Sequence, residues 1–391
     1  MLYDELLQLA SNLKAVSFFS ENSLTNEELA ESLTLKIADI RSKSDDLFEL
    51  LKNNEKKIIF FEKLLNPSKN YSSDDYLAGS KISAVNKGIE VVRKIKDQDI
   101  EITNYGFISL GGGDGTELYA VLENSNIDYG LLLEYDFKSV NRFVENNIPF
   151  QLKHYSRSKL KLDVMECDLF DDNKLKLVKD IIKDKNLDGI VISIHAVLHE
   201  LSTRSQLKSN YLKENGSIDL EEFFMELYEW HKNIIIFIRE PGEPENWPAN
   251  VHISIAEQYQ KDFLTILDDI DRSHFEGNKK SNFNFREDQN HIWCNSNLAI
   301  EALTKLFYQV DYEYEKREKI TSVSRKAIVK ALQGGGRLFT IIECEPFFTN
   351  SLIENFNKFQ VKITGEENMV LSKPQCFSYT VASKGNFKKL K

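Results

Sequence analysis

Residues suited to acid–base chemistry follow two strongly apolar runs of this chain. His195 ends the first run, and His199 and Glu200 come shortly after it, while Glu240 closely follows a run of isoleucines. Imidazole titrates near neutrality, and a carboxylate can act as a general base, so both groups can take a proton from a nucleophile. His199 is the first candidate for such a base, with Glu200 and Glu240 as alternatives.

The spacing of the two histidines also allows a metal site. His195 and His199 are four residues apart and would share one face of a helix, as zinc ligands do. Glu200 follows the second histidine, whereas the zinc-protease motif H-E-x-x-H needs a glutamate after the first. Because no third ligand is evident, we predict no metal. Histidines that are only packed and hydrogen-bonded remain an open alternative.

A glycine-rich turn dominates the middle of the chain. The apolar run Phe107–Leu110 predicts a short buried strand, and residues from Thr116 onward predict a helix. Four glycines lie in the turn: Gly111, Gly112, Gly113 and Gly115. Glycine lets a backbone approach a ligand closely, and the helix behind the turn offers unpaired N–H groups. The turn is therefore a candidate cofactor site.

A second strand, rich in leucine, ends in Glu134, Tyr135 and Asp136. An acid at such a strand tip can accept both hydroxyls of a ribose. The dinucleotide motif G-x-G-x-x-G is not met, since Thr116 occupies the place of its third glycine. Asp114 inside the turn also suits a pyrophosphate poorly. These features favour a cofactor that has a ribose but no phosphate.

The stretch from Phe107 to Asp136 resembles motif I of the class I S-adenosylmethionine (SAM)-dependent methyltransferases. The resemblance implies that the turn lies against the amino acid part of SAM and that Glu134 binds its ribose. Asp168, after the third strand, matches the family's aspartate that accepts a hydrogen bond from the adenine amino group. A helix cap is the other reading of Asp168. The family's usual acid two residues before the first glycine is Ser109 here.

The resemblance also divides the remaining residues between cofactor and substrate. It places His195 beside the cofactor and turns His199 and Glu200 toward the substrate. The full set of expected cofactor contacts is Gly111, Gly112, Gly113, Asp114, Gly115, Glu134, Tyr135, Asp168, Leu169 and His195. The turn after the isoleucine run supplies Arg239, Glu240, Glu243 and Trp247 as candidate substrate contacts, and a solvated turn is the alternative.

Alternating strands and helices from about residue 99 predict an α/β fold. By the resemblance this is a Rossmann-like, doubly wound methyltransferase sheet, mostly parallel with an antiparallel last strand. We expect residues 1–98 to form a helical domain that caps the substrate or forms a homodimer. The domain at 99–391 is expected to contain an insertion at 250–292 and an extension at 320–375.

Strand six is assigned to Val310–Tyr314 and strand seven to Phe377–Ala382, and a further strand is predicted within the extension at Leu338–Glu343. Within the insertion, 277–290 is predicted to be a polar and mobile loop, with Trp293 as the residue that anchors a lid.

Composition and sequence motifs limit the kinds of partner that the protein is expected to bind. The chain has 391 residues with a formal net charge of −11, which argues against a large nucleic-acid surface. The Asp/Asn-Pro-Pro-aromatic motif of enzymes that methylate nucleic-acid amino groups is absent after the fourth strand. No apolar run is long enough to cross a membrane, and four scattered cysteines suggest neither disulfides nor zinc. We expect a cytoplasmic protein.

The resemblance implies direct methyl transfer from SAM to an O or N nucleophile of a small molecule or a protein side chain. Two alternatives stay open. One is an NAD(P)-dependent oxidoreductase, against which the glycine spacing argues. The other is a non-catalytic scaffold protein with a degenerate methyltransferase fold, which Ser109 leaves open.

Overall fold

The fold was analysed on a computed structural model. It describes residues 17–19, 75–136, 160–203, 219–275, 282–286, 291–307, 319–347, 356–365, 369–371 and 374–385, together with isolated positions between 139 and 157. The sequence-based assignment of Val310–Tyr314 to a strand lies outside these residues. So does most of the N-terminal region 1–98, which was expected to cap the substrate or form a homodimer.

Eight of the described strands form one sheet in the order β1-β4-β3-β2-β5-β6-β12-β10. Their bounds are Ser17–Phe19 (β1), Tyr105–Leu110 (β2), Tyr129–Glu134 (β3), Lys161–Glu166 (β4), Gly189–His195 (β5), Ile234–Pro241 (β6), Thr340–Phe347 (β10) and Phe377–Lys384 (β12). The pairs β1–β4, β4–β3 and β3–β2 are parallel, and β12–β10 is antiparallel. The Rossmann-like methyltransferase sheet, mostly parallel with an antiparallel last strand, is confirmed.

The central strands form because their sequences are apolar on both faces. Every residue of β2, β3 and β5 is buried, which is typical of parallel strands covered on both sides by helices. The described helices are α1 (Asp75–Asp97), α2 (Thr116–Asn124), α3 (Asp172–Asp184), α4 (Leu198–Thr203), α5 (Leu220–Tyr228), α6 (Glu257–His274), α7 (Ser296–Phe307) and α8 (Arg325–Gln333).

The strand predicted at Leu338–Glu343, within the extension, is present at Thr340–Phe347. The strand beside β12 at the end of the sheet is β10, Thr340–Phe347, from the region assigned to an extension. Its sequence, TIIECEPF, interrupts the apolar residues with two glutamates and a proline. Its register with β12 shifts between Ile341 and Glu343, which marks a β-bulge.

The N-terminal region contributes to the main sheet. Ser17–Phe19 pairs in parallel with Asp163–Met165, which a wholly helical N-terminal domain does not include. The helix α1 agrees with the helical character predicted for the end of this region. A separate domain ending at residue 98 stays a prediction.

A second, four-stranded antiparallel sheet has the order β11-β7-β9-β8. Its strands are β7 (Asn250–Ser254), β8 (Phe283–Arg286), β9 (His291–Asn295) and β11 (Lys362–Thr364). The expectation of a loop across 277–290 is therefore wrong at β8. Trp293 was expected to anchor the insertion, but its side chain is 39% exposed, and its neighbours Ile292 and Cys294 are fully buried.

Contacts divide the chain into two compact units. The first comprises Met1–Ser193, Glu229–Ile235 and Gly385–Lys391, and contains the glycine turn. The second comprises Ile194–Tyr228 and Ile236–Lys384, and contains the second sheet and its own apolar core around Phe263, Leu267 and Leu303. The two units are described separately below.

Candidate functional site

In the first unit, the glycine turn packs tightly on one side and is open on the other. A Cβ on Gly112 would lie 2.2 Å from the Ser109 Oγ and 2.7 Å from the Leu132 Cδ1, so only glycine fits there. Gly113 has a φ of 58°, and beyond its two chain neighbours no atom of the described residues lies within 4 Å of where its Cβ would be. The turn thus rests directly on the strand ends at Gly112 and leaves room for a ligand at Gly113.

We expect Gly112→Ala and Gly113→Ala to fail in different ways. The first introduces a clash with buried atoms, so it should lower the free energy of unfolding by about 1–3 kcal/mol. The second costs about 1–2 kcal/mol of backbone strain, but its methyl group also occupies the open side. Urea unfolding and SAM titration of both variants check this: the loss of SAM affinity beyond that explained by stability should be larger for Gly113→Ala.

The Glu134 carboxylate connects the tip of β3 to the glycine turn. Its Oε2 accepts a hydrogen bond from the Gly113 N–H at 2.8 Å, and its Oε1 accepts one from the Asp136 N–H at 2.9 Å. Burial raises the pKa of Glu134, and the backbone N–H groups of Asp136, Gly113 and Tyr135 oppose this shift. Each oxygen retains a lone pair, so the carboxylate can still accept hydrogen bonds from two hydroxyls.

Asp114, one position before the N-cap residue Gly115, hydrogen-bonds to the first residue of α2. Its Oδ1 accepts hydrogen bonds from the Thr116 N–H at 3.1 Å and the Thr116 hydroxyl at 2.6 Å, at the start of α2. A carboxylate at this place satisfies a backbone donor and favours the positive end of the helix dipole. A contact of Asp114 with a cofactor stays a prediction.

Asp168 does not cap the helix that follows it. Asp171 does so, because its side chain accepts from the N–H groups of Asn173 and Lys174 at 3.0 and 3.2 Å. Asp168 instead accepts from the Phe170 N–H through its Oδ1 at 3.1 Å. The cap reading of Asp168 is therefore wrong, and its other oxygen is available for the adenine contact that the resemblance implies.

The other expected cofactor contacts differ in exposure. Tyr135 is 54% exposed, whereas Leu169 is buried. Ser109, in place of the family's acid, is fully buried beneath Gly112, and its hydroxyl has no hydrogen-bond partner among the residues that the structure describes. A side chain in this position supports the turn and does not replace a carboxylate that faces a ligand.

In the second unit, the chain turns sharply after β5. Ala196 has a φ of 59°, a left-handed conformation that costs a non-glycine residue on the order of 1 kcal/mol. The Ala196 N–H donates to the Arg239 carbonyl at 2.8 Å, which holds this turn against the end of β6. The turn begins α4 at once, and α4 contains His199.

The Glu240 carboxylate organises this turn. It is fully buried and accepts hydrogen bonds from the N–H groups of Val197 and Leu198 at 3.2 Å and of His199 at 2.8 Å. Its Oε1 also lies 2.5 Å from the His199 Nδ1. The carboxylate thus satisfies the unpaired donors at the start of α4 and fixes the imidazole ring.

The structure brings two of the three candidate bases together. Glu240 was an alternative base, but its complete burial and four hydrogen bonds make it the support of His199. Glu200 is half-buried on the same helix, and His195 is buried at the end of β5. The sequence signal for the His199–Glu240 pair was only that both residues follow buried strands.

A second layer holds the backbone of His199. The Ser202 hydroxyl donates to the His199 carbonyl at 2.9 Å and is hydrogen-bonded to the Ser322 hydroxyl. Ser322 and Ser202 thus link α4 to the segment that precedes α8, which sequence reasoning missed because a contact between residues 120 positions apart leaves no local pattern.

Among the residues that the structure describes, no three His, Cys, Asp or Glu side chains are grouped as a metal site would require. None of the described helices has both the length and the apolar character needed to cross a bilayer.

No protein-family model and no curated protein sequence matches this chain. Solved structures with a similar fold include the plantazolicin methyltransferase BpumL in complex with SAH, which is 9% identical with a TM-score of 0.36 and matches 85% of this chain and 99% of its own. An S-adenosylmethionine-dependent methyltransferase from Mesorhizobium loti is 13% identical with a TM-score of 0.35, over 73% of this chain and 93% of its own. The pyocyanin biosynthetic protein PhzM is 10% identical with a TM-score of 0.37, over 92% and 70%.

Proposed function

We propose that this protein is a SAM-dependent methyltransferase that transfers a methyl group to an O or N nucleophile of a small molecule or a protein side chain. The observation that supports this most directly is the hydrogen bond of the Glu134 carboxylate to Gly113. It supports the proposal because a carboxylate beside a glycine turn, at the carboxyl ends of parallel strands, is suited to accept the hydroxyls of a ribose.

The residues of the first unit fit SAM. Glu134 would accept the ribose hydroxyls, Asp168 would accept the adenine amino group, and the open backbone at Gly113 would face the amino acid part. Bound SAM supplies a methyl group that its positive sulfur already activates. The protein's task is then to align the nucleophile and to exclude water.

In the second unit, His199 is the residue suited to take a proton from the nucleophile. Its Nδ1 faces the Glu240 carboxylate at 2.5 Å, so Nδ1 bears the proton and Nε2 bears the lone pair. The carboxylate fixes this tautomer and stabilises the positive charge that the ring gains with a second proton. His199 Nε2 is thus the proposed base, and Glu240 is its positioning residue.

Calorimetric titration of the full chain with SAM and, separately, NADH tests the cofactor. We expect micromolar binding of SAM alone, weakened at least about tenfold in Glu134→Ala because two ribose hydrogen bonds to a charged group are lost. Asp180→Ala, on the surface helix α3, is the matched control and should bind SAM normally. Tight binding of NADH, or no binding of either ligand, would contradict the proposal.

The affinity for SAM should also depend on pH. Since burial raises the pKa of Glu134 above its ordinary value of 4.5, the carboxylate gains a proton at a higher pH than an exposed glutamate does. Protonation removes an acceptor, so SAM affinity should fall on acidification before pH 4.5 is reached. Titration at several pH values measures this, and an affinity independent of pH down to 4.5 would argue against Glu134 as the ribose acceptor.

A further inference from the structure

A cavity of about 430 Å³ lies wholly within the second unit. Four chain segments line it: 242–249, 295–297, 324–326 and 375–378. Its volume is within the range of small-molecule sites. The hydrogen bond from the Gly242 N–H to the Cys376 carbonyl at 2.7 Å and that from the Gln375 N–H to the Asn246 Oδ1 at 2.8 Å tie two of these segments together. The cavity walls are therefore held in place.

The cavity adjoins the residues that hold His199. Glu240 binds the imidazole, and Gly242, two residues later, lines the cavity. The Ser322 hydroxyl lies 3.4 Å from the His199 carbonyl oxygen. Ser324, two residues after Ser322, also lines the cavity. Two residues of chain span at most about 7 Å, so two independent connections place the cavity close to the supports of the proposed base.

Both acidic and basic side chains line the cavity, and one acid and one base already form an ion pair with each other. The Arg325 Nε donates to the Glu245 Oε1 at 2.7 Å, and a second guanidinium nitrogen contacts the other carboxylate oxygen. Glu243 is exposed and accepts only an amide hydrogen bond, from the Asn297 Nδ2 at 3.1 Å. Lys326 is exposed and forms no ion pair with any residue in the described part of the chain. One carboxylate and one ammonium group thus remain for a ligand.

Lys326 also lies in the first turn of α8, where the helix dipole adds positive potential to that of its ammonium group. The opposite charge, that of Glu243, lies on the loop after β6. Buried Trp247 and Cys376 and half-buried Phe377 add apolar surface to the same lining. The lining therefore combines a positive charge, a negative charge and apolar surface.

We infer that this cavity binds a small zwitterion of the α-amino acid type with an apolar side chain. Its ammonium group pairs with Glu243, and its carboxylate group lies against Lys326 and the start of α8. The further assignment of this cavity as the acceptor site rests on the proposed function, in which the cavity presents the substrate to His199. Binding of the zwitterion itself does not depend on that function.

Three ligands that share one phenylethyl skeleton test the inference: L-phenylalanine, phenethylamine and 3-phenylpropionate. Calorimetry on the full chain, with and without SAH, should show L-phenylalanine binding at least about tenfold more tightly than either singly charged compound, since it alone makes both ionic contacts. Glu243→Gln should weaken L-phenylalanine and phenethylamine but not 3-phenylpropionate. Lys326→Gln should weaken L-phenylalanine and 3-phenylpropionate but not phenethylamine.

Lys330→Gln is the matched control, because Lys330 is exposed on the same helix and does not line the cavity. All three substituted residues are exposed, so the variants should fold as the parent does. Failure of all three compounds to bind, tighter binding of phenethylamine, or an equal response of Lys330→Gln would overturn the inference. If the protein binds SAM but not L-phenylalanine, the inference is overturned and the proposed function stands. If it binds L-phenylalanine but not SAM, the zwitterion site is supported, but it is not the acceptor site of a methyltransferase.

Discussion

Glu301→Ala is expected to lower the free energy of unfolding by about 3–5 kcal/mol. The Lys305 Nζ lies 2.9 Å from the Glu301 Oε2, and both side chains are fully buried on α7. Glu301 Oε1 also accepts the N–H and the hydroxyl of Thr321 at 2.7 and 2.8 Å. The substitution leaves a buried ammonium group without its counter-charge and two donors without their acceptor. Urea unfolding measures the effect.

A matched control exists on α6. Asp268 and Arg272 form an ion pair with the same four-residue spacing, but their side chains are 46% and 73% exposed. Asp268→Ala should therefore cost less than about 1 kcal/mol. The double variant Glu301→Leu/Lys305→Met should recover much of the lost stability, because it removes both charges and keeps the volume. Equal losses in Glu301→Ala and Asp268→Ala would show that burial does not determine the strength of these pairs.

Glu240→Gln is expected to reduce the rate of methyl transfer by about 10²–10⁴-fold, the range for loss of a positioned acid–base group. The neutral amide cannot stabilise a protonated His199, and its NH₂ group opposes one of the donors that the carboxylate now accepts. SAM affinity, measured by calorimetry, should stay near that of the parent protein. The rate is measured with the first acceptor to be identified, as a function of pH.

His199→Gln should cause a loss of similar size, and the double variant should be little worse, because the two residues act as a unit. A melting curve separates this effect from unfolding, since Glu240 also supports the start of α4. The competing base is tested by Glu200→Gln. If that variant loses the activity while His199→Gln retains it, Glu200 is the base and the proposed role of the His199–Glu240 pair is wrong.

The sequence predicted the first half of the sheet well because its signals are local. Continuous apolar runs and the glycine turn identify β2, α2 and β3 from neighbouring residues. The strands of the second sheet were harder to predict. Its strand β8 lies in a polar stretch, and β11 pairs with β7 from more than 100 residues away. Such strands form through partners that no local pattern reveals.

The same distinction applies to the candidate site. The residue types of Glu134 and His199 suggested a ribose acceptor and a base, but the role of Glu240 did not follow from its residue type. Its role depends on the turn at Ala196, which brings three N–H groups and an imidazole to one carboxylate. The sequence shows only an acid after a strand, whether that acid acts as a base or supports one. Only the backbone geometry distinguishes a base from the support of a base.

The irregularity of β10 has a consequence for solubility. As the last described strand of the main sheet, it presents a row of backbone groups that another chain could pair with. Its apolar start, Ile341 and Ile342, would favour such growth into aggregates. The bulge next to them, the charges of Glu343 and Glu345, and the missing donor of Pro346 all interrupt a continuous ladder. The bulge, the two glutamates and the proline therefore protect the protein from edge-to-edge aggregation.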